Sequence, residues 1–285
     1  MKKSLPWLGN GQTAAEYLQH HYEVPEERPM MPLADEAFVS RWQEAEGGGV
    51  LEFLSEELGL PVFSFPWEAA DDLRICFART AGGCLPVIAT GNHEDFRAME
   101  AVLGGRQEKR ELPLTVNAFT LEARAEGIYH HRLLLLNRAP YSSISAELLG
   151  LTEEEWLERS GRLRLAHECA HYETLRLLGG MKNHALDEIL ADSLGQLAAF
   201  GDFSAERQRL FFGLVRGEDT CTGRLSFYIR NVRREDRGEV CRAVDRVLDI
   251  IEAELKEILS GKAEDWEILT YLAGRSIAGR LAGER

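Results

Sequence analysis

One short segment combines the residue types of a metal site with those of an acid–base catalyst. His167 and His171 lie on either side of Glu168 in the sequence HECAH. On an α-helix, side chains four residues apart share a face, so both imidazoles can reach one ion. The adjacent glutamate can accept a proton from a metal-bound water without itself binding the ion. The spacing therefore predicts a zinc site with a general base.

A third ligand is expected from the next helix, because catalytic zinc commonly has three protein ligands. Gly179 and Gly180 are predicted to end the first helix and let the chain return. The segment EILAD then places Glu188 and Asp192 four residues apart on one face. We expect Glu188 to complete the ligand set and Asp192 to accept the outer N–H of a ligand histidine. His184 is an alternative ligand or substrate contact, although a polar residue at the helix N-terminus is the favoured interpretation.

The two motifs together, HExxH and ExxxD, resemble those of the gluzincin zinc peptidases, the thermolysin-like family. The resemblance covers residues 163–194. It implies a role for each of the five residues already named: general base for Glu168, Zn2+ ligation for His167, His171 and Glu188, and orientation of the first histidine for Asp192.

The resemblance also suggests where a substrate would lie. The segment VNAF, residues 116–119, is similar to the edge strand on which these peptidases hold an extended substrate. Asn117 and Ala118 are the predicted contacts. Addition to an edge strand suits a peptide or protein substrate, because the main chain supplies the hydrogen bonds.

An oxyanion donor is the remaining part that the resemblance implies. These enzymes often use a histidine or tyrosine from the helical lobe, and no histidine follows His184 in this chain. Tyr228, in the segment RLSFYIRN, is the predicted donor, and Arg224 and Arg230 are alternatives.

Other metal patterns fit the sequence less well. A metzincin would need a glycine and a histidine where the chain has Thr174 and Leu177. A ferritin-like di-iron site would need a second E-x-x-H on another helix, and the sequence has none. Cys169 lies inside the motif but on the opposite side of the helix from the histidines, so it is predicted to be a core residue.

Both helices and strands are needed to position these residues. Residues 1–33 form a proline-spaced segment with few helix signals, and two short helices follow, on either side of Gly47–Gly49. Apolar segments predict four strands at 73–79, 84–90, 112–123 and 128–138, with a helix opened by Asn92 between the second and the third.

After Pro140 only helices are predicted, the first of them opened by a capping box at Thr152 and Glu155. This helix either continues to Gly179 or splits near Ser160. We therefore expect an α+β, zincin-like fold. Its sheet-containing N-terminal lobe spans 1–150, its helical lobe spans 151–285, and the zinc site lies between them.

Composition excludes several classes of protein. The net charge of −14 comes from runs of mixed sign without a continuous basic stripe, so nucleic acid is not an expected partner. No segment approaches the roughly 20 apolar residues of a membrane span. The five cysteines are scattered without a C-x-x-C pair, and the N-terminus lacks the apolar run of a signal peptide. These features predict a cytoplasmic protein.

The sequence as a whole predicts a zinc-dependent metallopeptidase that hydrolyses peptide bonds. The competing prediction is a catalytically inactive zincin-like protein with a binding or regulatory role. A third is a purely structural helix whose histidines pair with carboxylates. The motifs leave the identity of the substrate, endopeptidase or exopeptidase action and the oligomeric state open.

Overall fold

The computed structural model describes residues 11–45, 49–261 and 263–283. Residues 1–10, on which the prediction of no signal peptide depends, lie outside the described residues. The helices are α1 (Ala14–Leu18), α2 (Val39–Gln43), α3 (Val50–Glu56), α4 (His93–Leu103), α5 (Glu153–Leu178), α6 (Ala185–Phe200), α7 (Ala205–Phe212), α8 (Leu225–Tyr228), α9 (Arg237–Ser260), α10 (Asp265–Ala273) and α11 (Ile277–Ala282). The strands are β1 (Arg74–Thr80), β2 (Gly83–Thr90), β3 (Ala118–Glu122) and β4 (Arg132–Asn137). The predicted α+β class is confirmed.

The chain forms two compact units. The sheet unit is Glu27–Gly179, and the helical unit joins Met1–Glu26 to Gly180–Arg285. The units divide the chain after Gly179, whereas the sequence analysis placed a lobe boundary after residue 150. The difference arises because α5 packs against the sheet and so belongs with it.

The sheet unit is built on a mixed four-stranded sheet in the order β1-β2-β4-β3. Hairpin partners β1 and β2 are antiparallel, as are β3 and β4, and the central pair β2 and β4 is parallel. The helix α4 connects β2 to the later strands, and the side chain of Asn92 accepts hydrogen bonds from two N–H groups of its first turn. This is the cap that the sequence predicted.

Both faces of the sheet are covered, which explains why β2 and β4 are continuous apolar runs. One face packs against a core that includes residues of α2, α3 and α4, and it presents Ile75, Phe77, Ile88, Phe119, Leu121, Leu133 and Leu135. The opposite face meets α5 through Ala78, Leu85, Val87, Leu134 and Leu136. The period-two alternation of strand side chains assigns each residue to its face.

The helix α5 is continuous from end to end. Thr152 and Glu155 form the predicted capping box, and Gly179 ends the helix in the left-handed conformation at φ 74°. The backbone N–H of Ala81, in the turn between β1 and β2, donates to the Glu173 carboxylate at 2.8 Å. Such contacts fix the rotation of α5 about its axis, and with it the direction of the HExxH side chains.

The helical unit is organised around α6 and α9. The helix α9 carries an apolar stripe that includes Val240, Val244, Val247, Ile251 and Leu255, at the spacing of one helical face. Helices α1, α7 and α11 pack on α9, and α10 packs on α6. Among the described residues, no helix is both long enough and apolar enough to cross a membrane.

Candidate metal centre

The two histidines of the HExxH motif meet on a buried face of α5. Their Nε2 atoms lie 3.1 Å apart, and the two rings are nearly perpendicular, at 86°. His167 is 6% exposed and His171 8% exposed. The i, i+4 spacing has therefore brought two imidazole nitrogens to one point, as the sequence predicted.

This separation matches a shared metal. Two nitrogens bound to one tetrahedral zinc at 2.0–2.1 Å lie about 3.3 Å from each other. The same separation also suits a hydrogen bond in which one ring donates to the other. A donor set of two imidazoles fits zinc, and metal titration separates the two cases.

The other ring nitrogen of His167 is held by a tyrosine. The hydroxyl oxygen of Tyr141 lies 3.0 Å from Nδ1 of His167. The backbone N–H of Tyr141 donates to the Ser160 hydroxyl at 2.9 Å, and Arg164 reaches the carbonyl of Ala139 at 2.9 Å. Ser160, Arg164 and His167 all belong to α5, so the helix itself fixes the tyrosine above the ring.

The sequence did not indicate a role for Tyr141. A tyrosine that follows Pro140 carries no motif, and it reaches the histidine only because the chain returns along α5. The one local signal is backbone conformation: Ser142 and Ser143 both have positive φ, at 50° and 57°. Non-glycine residues rarely adopt this conformation, and they mark a tight turn that presents the preceding residue.

The predicted general base is oriented by the sheet. The hydroxyl of Thr120, on β3, donates to Oε2 of Glu168 at 2.7 Å and to the Glu168 backbone carbonyl at 3.0 Å. Glu168 itself is 8% exposed. A buried carboxylate is costly unless it is hydrogen-bonded, and Thr120 supplies such a bond. No sequence motif marks Thr120.

Among the described strands, β3 lies at one edge of the sheet, beside α5. Asn117 lies one residue before it, and its carbonyl accepts from the N–H of Asn137 at 2.8 Å. Alternate residues of an antiparallel strand direct both backbone groups toward the partner strand. Ala118 and Thr120 therefore direct their N–H and C=O groups away from β4.

This geometry gives the two predicted substrate contacts different surroundings. The side-chain amide of Asn117 donates to the Leu114 carbonyl at 2.7 Å and its oxygen accepts from Asn137 at 2.6 Å. Asn117 is buried, and these bonds hold the start of β3 in place. The outward backbone groups of Ala118 are the ones suited to an added strand.

In the helical unit, α6 carries both acidic residues that were predicted for the site. Glu188 is 3% exposed and Asp192 is fully buried. Arg224 forms an ion pair with Asp192 and lies 3.6 Å from a Glu188 oxygen. Gln208 donates to the same Asp192 oxygen at 2.5 Å. Burial of carboxylates requires such partners, and α6 thus presents an ordered acidic pair.

Tyr228, the predicted oxyanion donor, lies at the end of α8 in the same unit. Burial raises the pKa of its hydroxyl well above the ordinary value, and the charge of Glu188 and a hydrogen bond to that carboxylate add to the shift. The tyrosine is therefore a neutral donor next to Glu188. Of the two alternatives, Arg224 pairs with Asp192, whereas Arg230 stacks on Phe227 at 4.0 Å.

His184 is the N-cap of α6, as the favoured interpretation held. Its Nδ1 accepts from the backbone N–H of Leu186 at 3.0 Å, and its Nε2 lies 2.9 Å from the carbonyl of Tyr17. Its ligand-type atoms lie close to those of His20 and Asp187. Both of its ring nitrogens are engaged by the backbone, which gives His184 a capping role in this structure.

Cys169 is a core residue, as predicted from its position on the helix. It packs with Leu165 and Tyr172 against the face of the sheet that α5 covers. Burial raises the pKa of its thiol, and the carboxylates of Glu173 and Glu168 add to the shift. Cys169 therefore lies on the side of α5 that faces the sheet.

Comparison with known proteins identifies one family. Its sequence model, described as "Family of unknown function (DUF7005)", matches residues 116–273. That range contains all eight predicted site residues. No curated protein and no solved structure matches the chain. Because the match covers more than half of the 285 residues, the protein belongs to the DUF7005 family.

Proposed function

We propose that this protein is a zinc-dependent metallopeptidase of the gluzincin type, with a zincin-like arrangement of its lobes. One observation carries the proposal: the Nε2 atoms of His167 and His171 lie 3.1 Å apart on a buried face of α5. Glu168, between them in the sequence, is hydrogen-bonded and buried. A purely structural helix needs neither the paired nitrogens nor the glutamate beside them.

The ligands in this proposal are His167, His171 and Glu188. The motif assigns Asp192 to the first histidine, but Tyr141 holds the outer nitrogen of His167, and Asp192 contacts Arg224 and Gln208. Glu188 is assigned from the sequence motif, and it is buried on α6. When bound, zinc supplies a Lewis acid that polarises the scissile carbonyl and lowers the pKa of the attacking water.

Glu168 performs the proton transfers. Its carboxylate accepts the proton of the attacking water and returns it to the leaving amine. Thr120 holds one carboxylate oxygen by a hydrogen bond of 2.7 Å and leaves the other oxygen for the water. Tyr228 is the proposed donor to the developing oxyanion, for which its hydroxyl must exchange the hydrogen bond that it makes to Glu188.

The proposed substrate is a peptide or protein segment in an extended conformation. It would add to the outer edge of β3, where the backbone groups of Ala118 and Thr120 point away from β4. This strand also carries the hydroxyl that holds Glu168. We propose the cytoplasm as the compartment, in keeping with cysteines that are all free thiols.

Zinc content is the first test. We expect about one zinc per chain in protein purified without chelator, measured by elemental analysis. His171→Ala should lose most of the metal, whereas His21→Ala, at an exposed histidine, should retain it. A folded wild-type protein that takes up no zinc at concentrations of about 1 μM to 100 μM would contradict the proposal.

Hydrolysis is the second test, and Glu168→Gln is the decisive variant. The amide keeps the size of the carboxylate but cannot accept a proton, so peptide cleavage should fall by about two to four orders of magnitude with zinc retained. Cleavage of a mixed peptide library, followed by mass spectrometry, is the measurement. Glu154→Gln, at an exposed position of the same helix, is the matched control and should cleave normally.

The same assay separates the competing function. A wild-type protein that binds zinc tightly and cleaves nothing in the library would favour the inactive, regulatory zincin-like protein. Equal cleavage by wild type and Glu168→Gln would show that another base or a contaminant is responsible. Cleavage that a chelator abolishes and added zinc restores would support the metallopeptidase.

A further inference from the structure

Two cysteines far apart in the sequence bring their sulfur atoms into contact within the helical unit. Sγ of Cys241, on α9, lies 3.5 Å from Sγ of Cys221. Both are free thiols, and Cys221 retains partial exposure while Cys241 is buried. A disulfide needs the sulfurs at about 2.05 Å, so they must approach by about 1.5 Å to form a bond.

The segment that carries Cys221 is a closed loop, which we call the 213–223 loop. Its two ends touch: the N–H of Thr222 donates to the carbonyl of Gly213 at 3.0 Å, and Leu214 pairs with Cys221 as an isolated β-bridge. A Cβ atom at Gly223 would lie 2.8 Å from the backbone of Gly213, so only glycine permits this approach.

The loop is fixed against α9 by polar contacts on both sides of the thiols. Arg216 pairs with Asp249 at 3.0 Å, and the N–H of Gly217 donates to Asp245 at 2.9 Å. Nearer the thiols, Arg242 pairs with Asp219 at 3.0 Å. These contacts hold the loop and the helix together, so the two sulfurs meet as a consequence of the fold.

We propose that Cys221 and Cys241 are a redox-active dithiol that closes a disulfide between the 213–223 loop and α9. The oxidant is a low-molecular-weight disulfide, such as glutathione disulfide. The Cys221 thiolate attacks one glutathione sulfur and releases a glutathione thiolate. The Cys241 thiolate then attacks the Cys221 sulfur of this mixed disulfide and displaces the second glutathione thiolate.

The reaction is balanced in this form. Two protein thiols lose two electrons and two protons, and one glutathione disulfide is reduced to two glutathione thiols. The order of attack follows from the surroundings: a hydrogen bond from Cys241 lowers the pKa of the Cys221 thiol, and the charge of Arg237 adds to the effect. The same hydrogen bond, together with burial, raises the pKa of Cys241. The partly exposed thiol is thus the more acidic one.

A disulfide at Cys221 would also affect the segment that follows the 213–223 loop. Arg224 directly follows the loop and pairs with Asp192, and Tyr228 lies one helical turn beyond. A covalent tie at Cys221 would restrict the segment from which both side chains project. The proposal of a dithiol does not rest on the proposed peptidase activity, because the contact between the two sulfur atoms carries it.

A redox titration of the full chain tests the proposal. The protein is equilibrated with mixtures of reduced and oxidised glutathione, remaining thiols are blocked under denaturing conditions, and linked peptides are mapped by mass spectrometry. We expect a Cys221–Cys241 cross-link whose equilibrium constant is at least about tenfold larger in the folded chain than in the urea-unfolded chain. The equilibrium constant should be larger in the folded chain because folding holds the two sulfur atoms in contact.

The variants make the assignment specific. Cys241→Ala should leave a persistent glutathione adduct on Cys221, whereas Cys76→Ser, at an exposed cysteine of the sheet unit, should keep the cross-link. Three results would overturn the proposal: an equilibrium constant no larger in the folded chain, a glutathione adduct on wild-type Cys221 without cross-linking, or a bond to another cysteine. If a variant fails to fold, the titration of the wild-type protein still shows whether the Cys221–Cys241 cross-link forms.

Discussion

The hydroxyl of Tyr141 lies 3.0 Å from Nδ1 of His167 and thereby fixes the direction in which the opposite nitrogen of that ring points. With Nδ1 engaged, Nε2 is the nitrogen that faces His171. A ligand histidine commonly has such a partner on its other nitrogen, which sets the tautomer of the ring. In this protein the partner lies in the sheet unit and comes from the segment that precedes α5.

Tyr141→Phe removes this partner and keeps the ring. We expect zinc affinity to fall by about 10- to 100-fold, because the imidazole loses the bond that orients it. Competition with a chromophoric chelator measures the affinity. Tyr129→Phe, at a tyrosine that is 55% exposed, is the control and should bind zinc normally. Unchanged affinity in a folded Tyr141→Phe protein would show that the packing of α5 alone orients His167.

Thr120→Val tests the support of Glu168, the proposed general base. Valine keeps the β-branched shape that suits a strand but removes the hydrogen bond to Glu168, so the carboxylate loses its fixed orientation. We expect kcat for peptide cleavage to fall by about tenfold while zinc content stays constant. Thr115→Val, at an exposed position before β3, should leave kcat unaltered. A full-rate Thr120→Val enzyme would remove Thr120 from the mechanism.

Tyr228→Phe tests the proposed oxyanion donor. Loss of one preorganised donor should lower kcat by about a hundredfold and change KM little, because the bond forms only in the transition state. Steady-state kinetics on a cleaved peptide provide both constants. Should kcat survive in Tyr228→Phe and fall in Arg230→Ala, the donor is the arginine.

His184 predicts a dependence of stability on pH. Burial, with a smaller contribution from the charge of His20, lowers the pKa of His184 to about 4. Between pH about 6.5 and about 4 the unfolded chain therefore binds a proton that the folded chain does not. The free energy of unfolding should fall as the pH falls through this window, by at most about 1.4 kcal/mol per pH unit.

The matched variants are His184→Asn and His21→Asn, studied by urea unfolding across the same window. Asparagine keeps an N-cap acceptor for α6 but does not titrate, so His184→Asn should flatten the dependence by about one proton. His21 is exposed and its replacement should leave the slope as in the wild type. A wild-type slope that His184→Asn does not change would assign the titration to other groups.

Local sequence determined the elements that carry the candidate site. The capping box at Thr152 and the glycine at 179 begin and end α5 where the pattern predicts, and Asn92 opens α4. Caps and helix ends depend on residues within a few positions of each other, so they can be predicted from a short segment. The same kind of signal at Thr13 and Glu16 forms the capping box of α1, although the prolines of residues 1–33 predict few helices there.

The spacing of His167, Glu168 and His171 also sufficed to place two nitrogens together, because a helix has a fixed period. The tertiary structure alone decided what surrounds them. Tyr141 and Thr120 reach α5 from segments 26 and 48 residues away in the sequence. Such contacts depend on the order of strands and the path of the chain, and neither leaves a local pattern. The sequence by itself therefore indicated which residues form the candidate site. The packing of β3 and the turn after Pro140 decided which residues hold them in position.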